Sequence, residues 1–412
     1  GWLANRMQAL SQTFSLPFFT EKAILNLMTD FYALINASSL PYFEYGVSAL
    51  DRYKGLKPQE PIRFFAVHGS LVDVARLFDS VEYPGLPYAD AMIGRASIGF
   101  EARIKCIEDP GQAEKHASPF MEFRWNPRTG HFLDPASMYQ NVKQDELVLS
   151  PADSENALFE TAILLSRFPC QEDQAAGNKP ASQGLATCKM RKTNLPVSVP
   201  EVFQKDLLEL ILQGKYASQA LDFLERSGFV KKFWPLLAAL TDVDHAKDCH
   251  PEGGGWSHTM EALSQRKTFD RAISLAILLH DIGKPLSTQS EGRKFDRHAE
   301  IGADLAARFL RSLHFEEKLI EDVRFMIRWH MMVAALPRLP LASVRSIVFD
   351  KRFPDLLELF RCDEFSTFKG PDVYYASCAA YRQIMKNRKN PYRSDTGEKL
   401  RVGAPLGTKR QL

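Results

Sequence analysis

Six side chains able to hold a divalent cation follow one another along the chain: His258, His280 with Asp281, His298, His330 and Asp363. Imidazole nitrogens combined with carboxylate oxygens suit a transition metal such as Mn, Ni or Fe, and the carboxylates admit Mg as well. Taken singly, each has an ordinary explanation, as a hydrogen-bonded core histidine or a capping carboxylate. Even the His280-Asp281 pair alone is weak evidence. Their joint placement argues for a metal centre, because they lie on successive stretches of helical character, and a helical bundle can converge such residues on one interior point.

Residues 272–279 are apolar nearly all round, as expected of a helix buried in a core, and they run directly into His280-Asp281. An ionised Asp delivered by a buried helix is costly without a partner, and a metal cation is the usual partner when a His sits beside it. Gly283 is expected to take the left-handed position after the helix end, and Pro285 to stop the helix from continuing. His258 falls at the start of a helix one element upstream, within Trp256-Ser257-His258-Thr259-Met260-Glu261. His298 opens a segment containing Gly302 and Ala303, small residues that permit close helix packing. His330 lies inside an apolar helix, and Asp363 follows Leu357 to Phe360 on a further one.

These helices belong to a chain of 412 residues, a length that implies two or three domains, and its pattern reads as α+β. Residues 1–150 read as a small α/β head. Within it, 62–67 has the character of a strand, 71–78 that of a helix and 120–125 that of another strand, closed by the turn composition of Asn126-Pro127-Arg128-Thr129-Gly130. From about residue 157 strand signals nearly vanish. Apolar spacing over 202–213, 217–226 and 232–240 predicts helices, giving an all-α body over 151–240 and an all-α domain with a basic tail over 241–412. A polar stretch near 169–196, rich in Gly, Ala, Gln, Ser and Lys, reads as a long loop or insertion.

With 45% hydrophobic and 25% charged residues, the composition is that of a globular protein and excludes disordered and fibrous classes. Lys and Arg number 52 against 50 Asp and Glu, so net charge makes no case for nucleic acid and any basic surface must be local. The clearest local excess is Lys386, Arg388, Lys389 and Arg393, followed by Arg401, Lys409 and Arg410, read first as a solvated tail. Six cysteines without a CxxC pair predict reduced thiols and a cytoplasmic location. No run of eighteen apolar residues and no secretory pattern suggests a membrane span or export. The chain opens on Gly1 rather than Met, which leaves its natural start open.

The order His, His-Asp, His, His, Asp resembles the HD superfamily of metal-dependent phosphohydrolases. The resemblance implies that His258, His280, Asp281 and Asp363 hold a metal and that His298 and His330 serve a second metal or the phosphate. It places Lys284, directly after His280-Asp281-Ile282-Gly283, to neutralise a phosphate oxygen. His280, Asp281, Lys284, His298 and His330 would then form the catalytic set. Hydrolysis would occur at phosphorus, with the cation activating water and offsetting charge on the phosphoryl oxygens.

A wider resemblance covers most of the chain. Cys249-His250-Pro251-Glu252-Gly253-Gly254-Gly255-Trp256-Ser257-His258 looks like the approach to the HD domain in bacterial tRNA nucleotidyltransferases, the CCA-adding and poly(A) polymerase family. Asn126 to Gly130 with Asp134-Pro135 looks like the end of that family's catalytic head, and Leu224-Glu225 to Leu237 resembles its helical body. The resemblance implies a nucleotidyltransferase-like head and an RNA, such as tRNA, or a nucleotide as partner.

The head departs from the family pattern. Tyr45-Gly46-Val47 falls where two glycines are expected, Asp51 and Arg52 are displaced, and Ile62, Arg63 and Phe64 stand where the family carries two metal-binding Asp. Ile and Phe offer no anionic oxygen for Mg, and Arg repels it. Lys115-His116-Ala117 replaces an Arg-Arg-Asp motif, and Glu155 to Phe159 ends in Phe where an Arg fork would read a base. Only a shifted register using Glu60 or Asp73 would restore a carboxylate. The expectation is an HD phosphohydrolase acting on an RNA end or a nucleotide phosphate ester, with nucleotidyl transfer lost. The alternatives are an active CCA-adding or A-adding enzyme and a non-catalytic RNA-binding protein.

Overall fold

The computed structural model describes residues 21–53, 55, 62–86, 89–95, 100–107, 123–134, 155–167, 170–171, 186–187, 195–243, 254–267, 269–290, 293–367, 370–390 and 392–400. Lys54, Lys57, Glu60, Lys115 to Ala117, His250, most of the polar 169–196 stretch, Arg401, Lys409 and Arg410 lie outside the described residues. The chain divides into two compact units, 1–194 and 195–412.

The first unit is built on a six-stranded sheet. Its elements are α1 (Glu21–Ala37), β1 (Tyr42–Tyr45), α2 (Val47–Tyr53), β2 (Ile62–His68), α3 (Leu71–Leu77), β3 (Ala91–Arg95), β4 (Phe100–Ile107), β5 (Arg124–Asn126), β6 (His131–Leu133) and α4 (Glu155–Arg167). The strands run in the order β3-β4-β2-β1-β5-β6, with β2 and β4 parallel and the other pairs antiparallel. Alternation decides the core: Phe65 and Val67 of β2 and Phe100, Ala102 and Ile104 of β4 close on Phe31 and Ile35 of α1 and Val74 of α3. The expected strand at 62–67 and helix at 71–78 are present as β2 and α3. A reciprocal cap starts α3, in which Ser70 Oγ accepts from the Asp73 N–H and Asp73 Oδ2 accepts from the Ser70 N–H. The turn at 126–130 joins β5 to β6 as a hairpin, and Gly130 meets its positive φ of 71°. Two two-residue strands, β7 (Cys170–Gln171) and β8 (Ala186–Thr187), pair in parallel.

The second unit is helical: α5 (Glu201–Gln213), α6 (Ala217–Arg226), α7 (Phe229–Phe233), α8 (Pro235–Ala238), α9 (Gly255–Ser264), α10 (Arg271–Leu279), α11 (His298–Ser312), α12 (Glu317–Ala335), α13 (Leu341–Val348), α14 (Phe353–Phe365) and α15 (Asp372–Lys389). The single helix expected over 232–240 is broken, because Pro235 cannot donate to the ladder and starts a new element, followed by a 3-10 turn over Ala239–Asp242. A short antiparallel ribbon, β9 (Thr288–Ser290) and β10 (Arg293–Asp296), departs from an all-helical reading. The polar residues between Pro285 and His298 lack the apolar stripe a packed helix needs. Trp234 and Trp256 are buried, and each indole N–H donates, to Gln204 Oε1 and Asp222 Oδ1 respectively. Among the described residues no helix is long and apolar enough to cross a membrane, and Cys362 and Cys378 are free thiols.

Candidate metal centre

Helix α10 delivers His280 and Asp281 into the interior, with side chains only 1% and 2% exposed. Its start is fixed by Asp270, whose side chain accepts from the Ile273 N–H, and residues Ile273 to Leu279 are all buried. The C-terminal turn does not use the left-handed glycine geometry expected of Gly283, which has φ −82°. Gly283 is required for a different reason: a Cβ there would lie 2.1 Å from His298 O and 2.6 Å from Gly302 N. The absent side chain lets the backbone after α10 press against α11, which brings His298 to Asp281. Gly302 thus packs closely, as its size suggests.

All six expected residues converge. His258 Nε2 lies 3.0 Å from Asp363 Oδ1 and 3.6 Å from Asp281 Oδ2. His280 Nε2 is 3.3 Å from Asp281 Oδ2 and 3.7 Å from Asp363 Oδ1. On the other side, His298 Nε2 stands 3.6 Å from Asp281 Oδ1 and 3.3 Å from His330 Nε2. The donors fall into two groups that could each hold an ion, His258, His280 and Asp363 in one and Asp281, His298 and His330 in the other, with ligand atoms within 4.8 Å of one another.

Four further contacts aim the rings. His280 Nδ1 lies 2.8 Å from Ile277 O, His298 Nδ1 2.9 Å from Phe295 O and His330 Nδ1 2.7 Å from Ile327 O. A carbonyl oxygen only accepts, so each Nδ1 carries a proton and each Nε2 is turned inward. His258 Nδ1 is 3.1 Å from Ser366 Oγ, which itself donates to Asp363 O at 2.6 Å. Ser366 was not singled out in the sequence. Its one signal is its position three residues after Asp363, whereas a carbonyl partner leaves no sequence signal at all.

The donor set fits a cation. His280 Nε2 is buried without a hydrogen-bond partner, a situation folded proteins seldom leave uncompensated. Burial works against the charged forms, yet His280 and Lys284 hold the Asp281 carboxyl well below the usual range, and His258 and His280 do the same for Asp363. His280 shows the counterpart, lifted to about 10 because Asp281 and Asp363 outweigh its burial. Burial and the neighbouring imidazoles His280 and His298 push His330 down to about 4, which keeps its lone pair available near neutral pH. Lys284 Nζ sits 2.5 Å from Asp281 Oδ2, so in this structure its charge faces the carboxylate.

Residues 256–342 match the HD domain family. The chain carries an HD domain. The matched segment contains His258, His280, Asp281, His298 and His330, and Asp363 lies beyond it on α14. The HD-bearing chain is similar to the CC-adding tRNA nucleotidyltransferase of Thermus thermophilus, at 29% identity over 47% of this chain and 46% of that protein. It is also similar to the A-adding tRNA nucleotidyltransferase of Deinococcus radiodurans, at 27% over 44% and 43%, and to the multifunctional CCA protein of Halorhodospira halophila, at 26% over 37% of each. These matches span about half the length of the curated relatives, or less. Among solved structures, the Bacillus stearothermophilus CCA-adding enzyme in complex with CTP shares the fold, with a TM-score of 0.55, 11% identity, and coverage of 90% of this chain and 84% of that one. The expected α+β fold and the resemblance to tRNA nucleotidyltransferases both hold.

The head residues standing where that resemblance expects carboxylates, Ile62, Arg63 and Phe64, are all buried in β2. Arg63 faces Glu44 at 3.5 Å and Asp51 at 3.8 Å. Asp73 is occupied by its cap on α3 and does not join them. Phe159 is buried in α4.

Proposed function

We propose that the HD domain is a metal-dependent phosphohydrolase acting on an RNA end or a nucleotide phosphate ester. The observation that carries this reading is the convergence of six donors around His280 Nε2, a buried atom with no hydrogen-bond partner. His258, His280, Asp281 and Asp363 would hold the cation, with His298 and His330 beside them. A divalent ion there supplies an activated water and positive charge for a phosphoryl group. The protein's own part is to keep each Nδ1 protonated and each Nε2 facing inward, to exclude bulk water from Asp281 and to hold Lys284 beside Asp281, within reach of a phosphate oxygen bound there.

Nucleotidyl transfer is read as lost. Two-metal transfer needs a pair of carboxylates on β2, and β2 presents Ile62, Arg63 and Phe64 instead. The names of the CC-adding and A-adding relatives favour a second reading, an active transferase. Incorporation of labelled CTP or ATP into tRNA with ample Mg would support that second reading and overturn the loss.

The first experiment pairs metal content with hydrolysis of a 2′,3′-cyclic nucleotide and a generic phosphodiester, for the purified chain and its His280→Ala, Asp281→Ala double variant. Activity that follows bound Mn, Ni or Mg and falls by at least about 10³-fold in the variant is expected, since residues acting as one unit fail together. No bound metal and no turnover in the unaltered chain would sink the proposal.

A further inference from the structure

The basic residues near the C-terminus, which the sequence alone reads as a solvated tail, acquire a common face once α15 is formed. From Val373 to Ser394 the chain carries five basic residues and no acidic one, in a protein whose charges otherwise nearly balance. The inner face of α15 is fixed by packing: Ser377 Oγ donates to Val333 O at 2.8 Å, the Tyr381 ring lies 4.8 Å from that of Phe353, and Asn387 is buried. Tyr375, Arg382, Lys386 and Lys389 then fall on the solvent side at intervals of seven, four and three residues, one line along the helix. Just past its end, Tyr392 and Arg393 are exposed as well.

Helix-dipole stabilisation accounts for Lys386, Arg388 and Lys389 in the last turn, and Arg388 also stacks over Phe349 at 4.2 Å. It does not account for Arg382 or for the aromatics. Tyr375 is 56% exposed and Tyr392 74% exposed, which is unusual for rings of that size. A four-residue step along the helix rises about 6 Å, so cations at such steps can follow successive phosphates of a single strand. Exposed rings at both ends of the row offer flat surfaces on which bases stack.

We infer that the outer face of α15 and the turn after it, Tyr375, Arg382, Lys386, Lys389, Tyr392 and Arg393, form a docking strip for single-stranded RNA. The inference rests on the RNA part of the proposed function and says where that RNA lies. A strip of cations with rings at both ends fits a flexible strand better than a duplex, whose bases are stacked on one another, or a lipid surface, which gives the tyrosines no base to stack on.

The test uses the full chain, a fluorescein-labelled single-stranded RNA of about 20 nucleotides, the same RNA as a duplex, and vesicles containing phosphatidylglycerol. The strip variant is Arg382→Glu, Lys386→Glu, Lys389→Glu. The control, Arg308→Glu, Lys318→Glu, Lys351→Glu, makes the same charge change on other exposed positions of this unit. The strip variant is expected to lose at least tenfold in affinity for the single strand. Its log–log salt slope is expected to shrink by about 2, because each phosphate contact to a single strand contributes about 0.7. Tyr375→Ala with Tyr392→Ala is expected to weaken binding at least fivefold without changing that slope. Equal losses in strip and control variants, tighter binding of duplex than of single strand, or binding of vesicles in place of RNA would each overturn the inference. Absence of any RNA binding would overturn it too, while the metal and cyclic-nucleotide measurements would still report on the HD site.

Discussion

Two buried charge clusters, one in each unit, solve the same problem in opposite ways. In the sheet unit, Glu44 is fully buried, but it accepts from Arg52 Nε at 2.5 Å and Arg52 Nη2 at 2.6 Å, and Tyr32 donates to it as well. Arg63 adds a further guanidinium between Glu44 and Asp51. Charge of both signs is supplied by the chain itself, and the buried nitrogens left without a hydrogen-bond partner are those of the cationic Arg63, which would repel a metal ion. In the HD domain the interior groups are imidazole nitrogens and carboxylates, with Lys284 facing Asp281. A pocket of donors to a metal asks for a cation from outside, whereas a pocket of ion pairs excludes one.

The widest separation between the two clusters should come from removing Arg52. Arg52→Ala leaves the Glu44 carboxylate buried without its bidentate partner, so the chain should lose about 3–5 kcal/mol of stability in urea unfolding, and added Mn or Ni should not restore it. A loss below about 1 kcal/mol would mean that the head network is not held by that pair. For the HD domain, metal at about 1,000 times its dissociation constant should raise stability by about 4 kcal/mol, and chelation should reverse the gain; a thermal midpoint indifferent to both would erase the contrast.

Smaller effects sharpen the same comparison. Gly283→Ala forces a Cβ into His298 O and the Gly302 backbone, so it should cost about 1–3 kcal/mol and weaken metal binding along with stability, as read by unfolding and metal titration. Ser366→Ala removes the group that orients His258 while leaving every ligand atom in place. Metal affinity should drop about 10- to 100-fold with little change in the metal-free midpoint. If affinity were unchanged, His258 would not need that orientation to act as a ligand.

Much of this arrangement is written locally. The buried run Ile273 to Leu279, the small residues of α11 and the order of the six ligand residues were all legible, because helix periodicity and side-chain chemistry are properties of neighbours in sequence. The β2 strand and helix α3 were legible for the same reason. The break at Pro235 with the 3-10 turn after Ala238, and the ribbon before His298, were less so. A proline at residue 235 and nine polar positions decide them only once the surrounding helices are packed.

The sequence by itself determined which atoms could bind a metal and which helices carry them, since donor type and apolar spacing need no knowledge of distant residues. Only the tertiary structure decided that Nε2, and not Nδ1, faces the interior, because that choice is made by carbonyls at Ile277, Phe295 and Ile327 and by the Ser366 hydroxyl. It also decided that Gly283 is there for contact with α11 and not for a left-handed turn, and that Lys284 faces Asp281. The Gly283 and Ser366 contacts join segments far apart in the chain, the other ring partners are backbone carbonyls common to every residue, and Lys284 meets Asp281 only three residues away, where residue type does not say which way a long side chain turns.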